Sequence, residues 1–546
     1  MSRLRLLVAM LLALVPAACG ARASETRDPD MVVTAWIAGP DSFNPLTAIG
    51  SAAKMMADEI YSPLVDLGPN LLPRWSTSLA YRVDISEGGT RYVLHLRRNA
   101  HWSDGAPLEA NDVVFSLLLG DNAGLIEGNS GDFGLMIPAS VRALDAHTVE
   151  LRLRKPSPPF LTNALGETLP LPKHLLGRFS PLSDAEARFV NTDVAFNQHP
   201  VTSGPWLIAR SVPDAYVIIE RNPKYWGRPA RLPRLAFRVY PQQDSLYAAV
   251  DAGEVDVTDI PPNLWRVHTR LRGDHRFVNW PWNVTFLLLP NYRDPAIAWM
   301  HDPRVKQAMM YALNRRFIVN GIMSGQADVL NGPVPSFSPY YNRAIRRYDY
   351  DPARAAALLD AAGWRLREGV RTKNGVVMRL TIKNGGATDA VANNVAELIQ
   401  ANLKAVGINC TLESEEIQTF FEDLHASRFQ VALRGIILPP YPDDFKYYDS
   451  SQTRAAGGYN YGYYSNSEID RAIEQARTAA GPRAARAALN RYQELASQDL
   501  PVIYLYSNRL GAVVPAEMSG YDLNPTAPAA LPMGLQFWTL QRRGAR

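Results

Sequence analysis

The stretch "YVLHLRRNAHWSDGAPLEANDVVFS", residues 92–116, combines a strand, a tight turn and the start of a helix. In residues 92–97 the side chains of Tyr92, Leu94 and Leu96 alternate with those of the residues between them. This period of two is typical of a half-buried strand. Asp104-Gly105 then predicts a turn, because glycine adopts a positive φ without steric cost. A helix is predicted from about Glu109, where apolar residues begin to recur at helical spacing. The stretch therefore predicts mixed α/β structure.

Strand and helix signals continue to alternate along the chain. Asp302 and Asp351 each precede a proline, which places a capping carboxylate before a first helical residue that needs no N–H donor. Such alternation favours mixed α/β layers over an all-β sandwich or a helical bundle. Because 546 residues exceed what one hydrophobic core covers, we expect two or three domains.

Composition excludes several classes of protein. Apolar residues make up 47% of the chain and charged residues 20%, as in ordinary globular proteins and unlike disordered or collagen-like chains. The formal net charge is +4, and lysine and arginine are scattered along the sequence. Since no basic stripe is present that would neutralise successive phosphates, nucleic acid is not an expected partner.

The amino terminus has the pattern of an export signal. Arg3 and Arg5 precede ten apolar residues at 6–15, and small residues follow. Ten residues are too few for a helix across a hydrocarbon core, which needs about 20. Residues 1–23 are therefore predicted to be a signal peptide, and the protein is expected in the periplasm or on the outer face of the cytoplasmic membrane.

Two processing sites fit this terminus. Ala21-Arg22-Ala23 matches an A-x-A site with cleavage before Ser24, whereas "AAC" resembles a lipobox that would leave Cys19 lipid-modified. Either outcome leaves Cys410 without a cysteine partner in the chain. We therefore expect no intrachain disulfide.

Motifs for catalysis, metals and cofactors are missing from the sequence. The nine histidines are dispersed, and we find no short-spaced zinc ligands, nucleophile elbow, phosphate loop or dinucleotide fingerprint. The sequence predicts no catalytic residue, no metal site and no cofactor.

Two loop segments are candidate ligand contacts. Asp443 and Asp444 either hold an amine, a cation or hydroxyls of a ligand, or serve a turn and a helix cap before Phe445. Tyr459 and Tyr461 lie in a glycine-rich loop, "GGYNYGYYSN". Tyrosines of this kind either cover a ligand or pack where domains meet.

Taken together, several segments resemble the family 5 extracellular solute-binding proteins, the receptors of peptide and nickel ABC importers. They occur in order across nearly the whole mature chain. The segments are the opening stretch, "LPKHLL" (171–176), "SGPW" (203–206), "RNPKYWG" (221–227), "AGEVDV" (252–257), "DPRVKQAMMYALNRRFI" (302–318) and "YDPARAAALLDAAGW" (350–364).

The resemblance implies an α/β, two-lobed periplasmic binding protein of class II, with mixed sheets and an extra small α/β domain. It places Trp102 and Asp104 in packing and turn roles, and it places hinge residues near Trp280, Trp282 and Asn283. The implied boundaries are residues 31–62, 205–285 and 512–546 for lobe I, 63–204 for the small domain II, and 286–511 for lobe III.

The ligand site departs from that of the peptide-binding members. Those proteins hold the ligand's α-amine with an aspartate in a "W-x-x-D" segment, but here Gly435 and Leu438 take the two positions. Asp443 and Asp444 are the nearest acids, because a buried ammonium needs a partner. Arg434 is either a partner for a ligand carboxylate or a solvated surface residue. Phe43, Asn44 and Tyr441 complete the predicted ligand-binding set, together with Tyr459 and Tyr461.

The expected function is that of a non-enzymatic receptor for an ABC importer. It would capture an oligopeptide or similar small solute between two closing lobes and deliver it, as a monomer, to a membrane permease. An exported hydrolase and a chaperone-like interaction protein on the same scaffold are the alternatives. If the two acids point away from the site, the ligand would be a blocked peptide, a sugar, an opine-like compound or a metal chelate.

Overall fold

The computed structural model describes residues 31–122, 125, 133–260, 264, 275–387, 389–527, 531–532 and 534–540. The predicted signal peptide, 1–23, and its Cys19 lie outside these residues. Among the helices within the described ranges, none combines the length and apolar character that a membrane crossing requires.

Strands and helices alternate along the whole chain, as the sequence predicts. The strands are β1 (Met31–Trp36), β2 (Ala80–Ser86), β3 (Arg91–Leu96), β4 (Arg142–Asp145), β5 (Thr148–Arg152), β6 (Trp206–Val212), β7 (Tyr216–Arg221), β8 (Arg234–Val239), β9 (Thr258–Asp259), β10 (His275–Pro290), β11 (Ala327–Val329), β12 (Arg365–Arg367), β13 (Val370–Lys373), β14 (Val376–Val377), β15 (Arg379–Asn384), β16 (Asn409–Ser414), β17 (Val431–Ile437), β18 (Ile503–Pro515), β19 (Met518–Ser519) and β20 (Thr539–Leu540). The α-helices are α1 (Ser51–Ile60), α2 (Ala110–Gly120), α3 (Lys173–Leu176), α4 (Asp184–Thr192), α5 (Val194–Gln198), α6 (Gln243–Asp251), α7 (Pro303–Ala312), α8 (Arg315–Phe317), α9 (Pro352–Ala361), α10 (Ala390–Ala405), α11 (Ile417–His425), α12 (Phe445–Tyr448), α13 (Ser467–Thr478) and α14 (Pro482–Asp499).

The larger sheets are mixed or antiparallel. One has the order β1-β8-β7-β6, with β1 and β8 parallel, and another is antiparallel with the order β2-β3-β5-β4. The largest sheet has the order β11-β18-β10-β17-β15-β16, and β9 pairs with β18 beside that path. This architecture confirms the predicted mixed α/β fold class.

Strands β10 and β18 run through two parts of the molecule. Residues 275–281 pair with 509–515, and beyond a register shift residues 285–288 pair with 503–507. This first shift lies between Pro281 and Thr285, and a second lies between Phe286 and Leu287 within the later half. A β-bulge or similar irregularity bends a strand pair locally, so the first shift separates the two halves of the ribbon.

Two large hydrophobic cores lie on either side of that point. Core A is formed by buried residues between Val32 and Phe237, with Val257 and the segment from Val514 to Trp538. Core B is formed by buried residues between Leu287 and Tyr506. Core A is continuous through the predicted lobe I and small domain, so the domain boundaries stay a prediction.

Helix ends follow the local signals closely. Asp302 and Asp351 cap α7 and α9, each followed by proline at the first helical position. Asn466 caps α13. The apolar run at 284–290 forms the second half of the longer β10. Cys410 is a buried free cysteine, and burial raises the pKa of its thiol to about 12.

The opening stretch has a structural role centred on one carboxylate. Asp112 accepts hydrogen bonds from the backbone N–H of Glu109 at 2.9 Å and of Lys173 at 3.0 Å. It also accepts the indole N–H of fully buried Trp102 at 3.3 Å. Gly105 forms the turn with φ +97°. The turn, the capping box of α2 and the start of α3 therefore share one anchor.

Asp112→Asn is expected to lower the free energy of unfolding by about 2 kcal/mol, because an amide nitrogen would face a backbone donor in a buried site. Urea unfolding followed by tryptophan fluorescence measures this loss. Asp104→Asn is the control, since Asp104 lies on the exposed turn and keeps an oxygen for the N–H of Ala106. It also weakens a partly exposed ion pair with His174 at 2.8 Å, a contact of about 0–1 kcal/mol. An equal or larger loss for the control would contradict the anchor role.

Candidate ligand-binding cleft

A cavity of about 840 Å³ lies between core A and core B. Helix α1 and side chains from the segment 163–171 line the core A side, and residues 437–440, 443 and 445–447 line the core B side. Trp282 and Asn283, beside the register shift of β10, contribute to the lining as well. The cavity has the size of a small-ligand site, for which about 300–1,000 Å³ is typical.

The wall formed by α1 carries two carboxyl groups. Asp58 opens into the cavity and, within the described residues, has no hydrogen bond or ion pair. Loss of water in the cavity and the nearby carboxylate of Asp66 raise the pKa of Asp58 to about 7, although Lys54, one helical turn earlier on the same wall, acts in the opposite direction. Burial raises the pKa of Glu59 to about 8, although Glu59 accepts the backbone N–H of Leu535 at 3.3 Å.

Two further acids of this wall are partly compensated by one arginine. Arg74 donates from Nε to Asp66 at 2.7 Å and also bridges to Asp522. The two carboxylates share one guanidinium, which ties the segment after α1 to the carboxyl-terminal segment. Asp58 is therefore the acid of this wall that is most open to a positively charged ligand.

The opposite wall carries a neutralised acid and a row of aromatic rings. Asp443 lines the cavity, but it accepts Nε of Arg477 at 3.0 Å. The Arg477 guanidinium also lies 3.9 Å from the centre of the Phe445 ring. Tyr459 is exposed to the cavity, with its ring centre 5.5 Å from that of Tyr447. This wall thus offers aromatic surface next to a paired charge.

The other predicted contacts on this side lie behind the cavity surface. Asp444 is buried and accepts the hydroxyl of Tyr492 at 2.7 Å. Burial raises the pKa of Asp444 to about 7. The adjacent aspartates of the sequence thus have different environments, and only Asp443 lines the cavity.

Three more predicted contacts are also absent from the cavity lining. Tyr441 is buried and donates its hydroxyl to the carbonyl of Ala476 at 3.2 Å. Tyr461 is buried, and the Arg434 guanidinium lies 5.6 Å from its ring centre. Burial lowers the pKa of Arg434, which has no carboxylate at ion-pair distance among the residues described.

Phe43 and Asn44 lie close to the cavity but inside core A. Phe43 is 2% exposed, and its backbone N–H donates to the carbonyl of Asn197 at 2.8 Å. The Asn44 amide donates to Oδ1 of Asn197 at 2.9 Å, while its own oxygen accepts the N–H of Leu46. These bonds leave Asn44 in a turn that positions the neighbouring Pro45 and Leu46, which do line the cavity.

The predicted hinge residues gather at the register shift of β10. Trp280 is 1% exposed and donates its indole N–H to the carbonyl of Asn524 at 3.2 Å. Trp282 donates to the carbonyl of Ala527 at 3.1 Å. Asn283 exchanges two hydrogen bonds with the backbone of Leu438, at 2.5 and 2.8 Å. Leu438 takes the position where the peptide-binding members carry an aspartate. This position therefore lies in the cavity lining, next to the predicted hinge.

Two contacts join the core A side to the core B side across the cavity. The Asn163 amide donates to the Tyr441 carbonyl at 3.1 Å and accepts the Tyr441 N–H at 2.9 Å. Lys155 forms an ion pair with Glu474 at 2.5 Å. The structure thus has the two sides in contact around an internal cavity.

Reasoning from the sequence missed the acids of α1, Asn163 and Arg477. Glu59 had a detectable signal, because an acid on the apolar face of an amphipathic helix is unusual. Arg477 and Asn163 had none, since each acts on a residue far away along the chain. Within the described part of the chain, no group of three histidine, cysteine or acidic side chains has the geometry to hold a metal ion.

Known proteins resemble the chain along most of its length. The family model described as bacterial extracellular solute-binding proteins, family 5 Middle, matches residues 69–458. The chain belongs to this family. It is 26% identical over 512 residues to the oligopeptide-binding protein AppA of Bacillus subtilis (strain 168), covering 91% of this chain and 89% of that protein. It is also 26% identical over 439 residues to the nickel-binding periplasmic protein of Escherichia coli (strain K12), covering 78% of each.

Solved structures share the fold of this solute-binding protein. AppA from Bacillus subtilis in complex with a nonapeptide superimposes with a TM-score of 0.74 at 24% identity, covering 94% of this chain and 99% of that one. NikZ from Campylobacter jejuni in complex with Ni(L-His) gives a TM-score of 0.76 at 23% identity, covering 94% of this chain and all of that one.

Family membership establishes the general role of the protein. It is the substrate-binding protein of an ABC importer of the peptide and nickel class, it acts outside the cytoplasm, and it is not an enzyme. The family resemblance that the sequence motifs predicted is confirmed. The roles of the individual site residues stay predictions.

The buried Asp444 carboxyl is expected to make stability depend on pH. Its pKa is about 7 in the folded protein against an ordinary value of 3.8, so between about pH 4 and pH 7 the folded state keeps a proton that the unfolded state has lost. Its contribution is therefore lost as pH rises through this window. In Asp444→Asn this loss is absent, and its free energy of unfolding relative to wild type should rise by up to about 4 kcal/mol between pH 4 and pH 8.

Urea unfolding at several pH values measures this difference. Asp251→Asn is the control, because Asp251 is exposed at the end of α6. A difference between Asp444→Asn and wild type that stays constant with pH would contradict the assignment.

Proposed function

We propose that this protein captures a short peptide with a free amino terminus between two closing lobes and delivers it to a membrane permease. The observation that supports this proposal is Asp58, an unpaired carboxyl on the wall of the interlobe cavity. In this proposal Asp58 takes the part of the aspartate that peptide-binding members carry near the position of Leu438. The ammonium partner then comes from α1, on the opposite wall.

Charge favours an ammonium at this position. Placing a cation beside Asp58 stabilises its ionised form, because attraction to the cation offsets the water that the cavity walls exclude. A neutral sugar would leave the carboxylate uncompensated. Tyr447 and Tyr459 on the facing wall supply aromatic surface for the side chains or backbone of a peptide.

Closure follows from the paired strands that join the two cores. We place the hinge at the register shift, with Trp280, Trp282 and Asn283, and the lobes at residues 31–62, 205–285 and 512–546 (lobe I) and 286–511 (lobe III), with 63–204 as the small domain. Ligand contacts both walls only when they are together, so binding shifts the population toward the closed form. The permease then binds that closed form.

The remaining expectations belong to the same proposal. The chain is exported by residues 1–23, acts as a monomer, and resides in the periplasm or on the outer face of the cytoplasmic membrane. Labelling with a radioactive fatty acid distinguishes a lipid-modified Cys19 from cleavage before Ser24.

Asp58→Asn is expected to weaken binding of a free-amine tripeptide at least tenfold, because a charged partner of the ammonium is lost. Wild-type affinity should fall about tenfold for each pH unit below about 7, since a proton then competes with the ammonium for Asp58. Isothermal titration calorimetry between pH 5.5 and 7.5 measures both effects.

Two controls accompany this experiment. Asp251→Asn removes one exposed acid far from the cavity and should bind like wild type. The Nα-acetylated form of the same tripeptide should bind weakly to wild type and show no added loss in Asp58→Asn. If Asp58→Asn binds the free-amine peptide with wild-type affinity and pH dependence, Asp58 is not the ammonium partner.

Asn163→Ala is expected to reduce peptide affinity by between about fivefold and a hundredfold, because two hydrogen bonds that join the walls disappear. Small-angle X-ray scattering should show that a higher ligand concentration is needed to reduce the radius of gyration. Asn99→Ala is the control, since Asn99 is exposed and its side-chain amide donates to the carbonyl of Trp226 at 3.1 Å, away from the cavity lining. Unchanged affinity in Asn163→Ala would rule out this closing contact.

The ligand class is tested directly by native mass spectrometry of protein purified without refolding. Thermal-shift screening with di- to pentapeptides, acetylated peptides, sugars, opine-like compounds and Ni²⁺–histidine then ranks the classes. Free-amine peptides should raise the melting temperature most. Response to a chelate or a sugar alone would replace the peptide assignment, and steady turnover of any member of the panel would contradict the receptor role.

A further inference from the structure

A second cavity, of about 460 Å³, lies beside core B and shares no lining residue with the cleft. Its lining includes Arg315, Arg316, Arg343 and Arg347, with Asp349 as the acid. These residues give the lining a formal net charge of +3. We call this cavity the arginine pocket.

Arg315 supplies a buried charge to the pocket. It is 2% exposed, and its guanidinium donates to the backbone carbonyls of Leu330 and Tyr348 and to Oδ1 of Asn331 at 3.2 Å. Its Nε is buried without a hydrogen-bond partner in the described structure. Burial lowers the pKa of Arg315 to about 10, although Asp349 acts in the opposite direction.

No carboxylate described in the structure lies within ion-pair distance of Arg315. Asp349 instead pairs with Arg316 at 3.2 Å, and both side chains are largely exposed. A buried cation without a counter-ion is costly, because water is lost and no opposite charge replaces it. The pocket therefore has an unmet requirement for negative charge at its buried end.

The rim adds two more cations. Arg343 and Arg347 are exposed, and among the described residues neither forms a hydrogen bond or an ion pair. Two rim cations and a buried one that converge on one cavity repel each other unless an anion lies between them.

We propose that the arginine pocket binds a multivalent phosphate-type anion, separately from the transported solute. Guanidinium groups match phosphate oxygens bidentately, and a net charge of +3 suits a group that carries two or more negative charges. A volume of about 460 Å³ holds a small molecule or a lipid headgroup. The phosphate is supplied either by a free solute or by an anionic phospholipid at the membrane where the importer works.

Isothermal titration calorimetry with sodium pyrophosphate, at pH 7.5 and 150 mM NaCl, tests the pocket. One site per protein is expected, and Arg343→Gln/Arg347→Gln should weaken it at least tenfold. These two residues are exposed, so the melting temperature without ligand should be unchanged in the double variant. Pyrophosphate should raise the melting temperature of wild type, since a ligand that binds the folded state stabilises it.

The matched control is Arg367→Gln/Arg483→Gln, which removes two exposed arginines outside the pocket. It should bind pyrophosphate like wild type. Co-sedimentation with vesicles of phosphatidylcholine, alone or with phosphatidic acid, identifies the source of the phosphate. Sedimentation with phosphatidic acid that pyrophosphate competes away indicates a lipid headgroup, whereas pyrophosphate binding without sedimentation indicates a free anion.

Three results would overturn the proposal. They are a lack of response to both pyrophosphate and phosphatidic acid vesicles, equal weakening in the control and pocket variants, and full retention of binding in the pocket variant. Because the pocket shares no residue with the cleft, peptide affinity of Arg343→Gln/Arg347→Gln should match wild type. Peptide binding by Asp58→Asn therefore tests the proposed function of the cleft, and pyrophosphate binding by Arg343→Gln/Arg347→Gln tests the arginine pocket independently.

Discussion

The pairing of β10 with β18 is the constraint on which the rest of the structure depends. These strands are the long ribbon along which both cores are built, and the first of their two register shifts lies between Pro281 and Thr285. Residues on either side of that change belong to different hydrophobic clusters. The ligand cavity lies at this point. Strands β10 and β18 pass from one core to the other, so they set how far apart its walls lie and where those walls join.

The charged groups of the cleft differ in whether they have partners. On one wall Arg74 joins Asp66 and Asp522, and on the other Arg477 neutralises Asp443. These pairs hold segments together, although Asp66 and Asp522 share a single arginine and keep a net negative charge. In the proposed function the carboxyl of Asp58 adds to this negative wall and selects a cationic ligand, while the ion pairs maintain the wall.

Local signals in the sequence accounted for much of the fold. The Asp-Pro pairs at 302 and 351 located two helix starts, and Asp104-Gly105 located the turn after β3. Such features depend only on neighbouring residues, so they can be inferred without knowing the fold. The family motifs supplied the order of the elements and the importer role.

The binding site was less accessible to the same reasoning. Asp443 and Asp444 are adjacent, yet one lines the cavity and the other is buried against Tyr492. Asn163 contacts a backbone that is 278 residues away. Contacts of this kind depend on how the two cores pack against each other. Neither the hydrophobic periodicity of the sequence nor the spacing of its motifs specifies that packing. The acids nearest in sequence to Leu438 were therefore predicted as amine partners, whereas the proposed partner, Asp58, lies on the opposite wall.

The buried Cys410 has a consequence for life outside the cytoplasm. With its thiol pKa at about 12, almost none of it is thiolate at neutral pH, and the thiolate is the form that attacks disulfides and oxidants. In the folded protein this thiol can thus remain reduced in an oxidising compartment, without a disulfide isomerase to correct non-native disulfides. Alkylation at this cysteine would report unfolding, since only the opened chain exposes a sulfur that reacts.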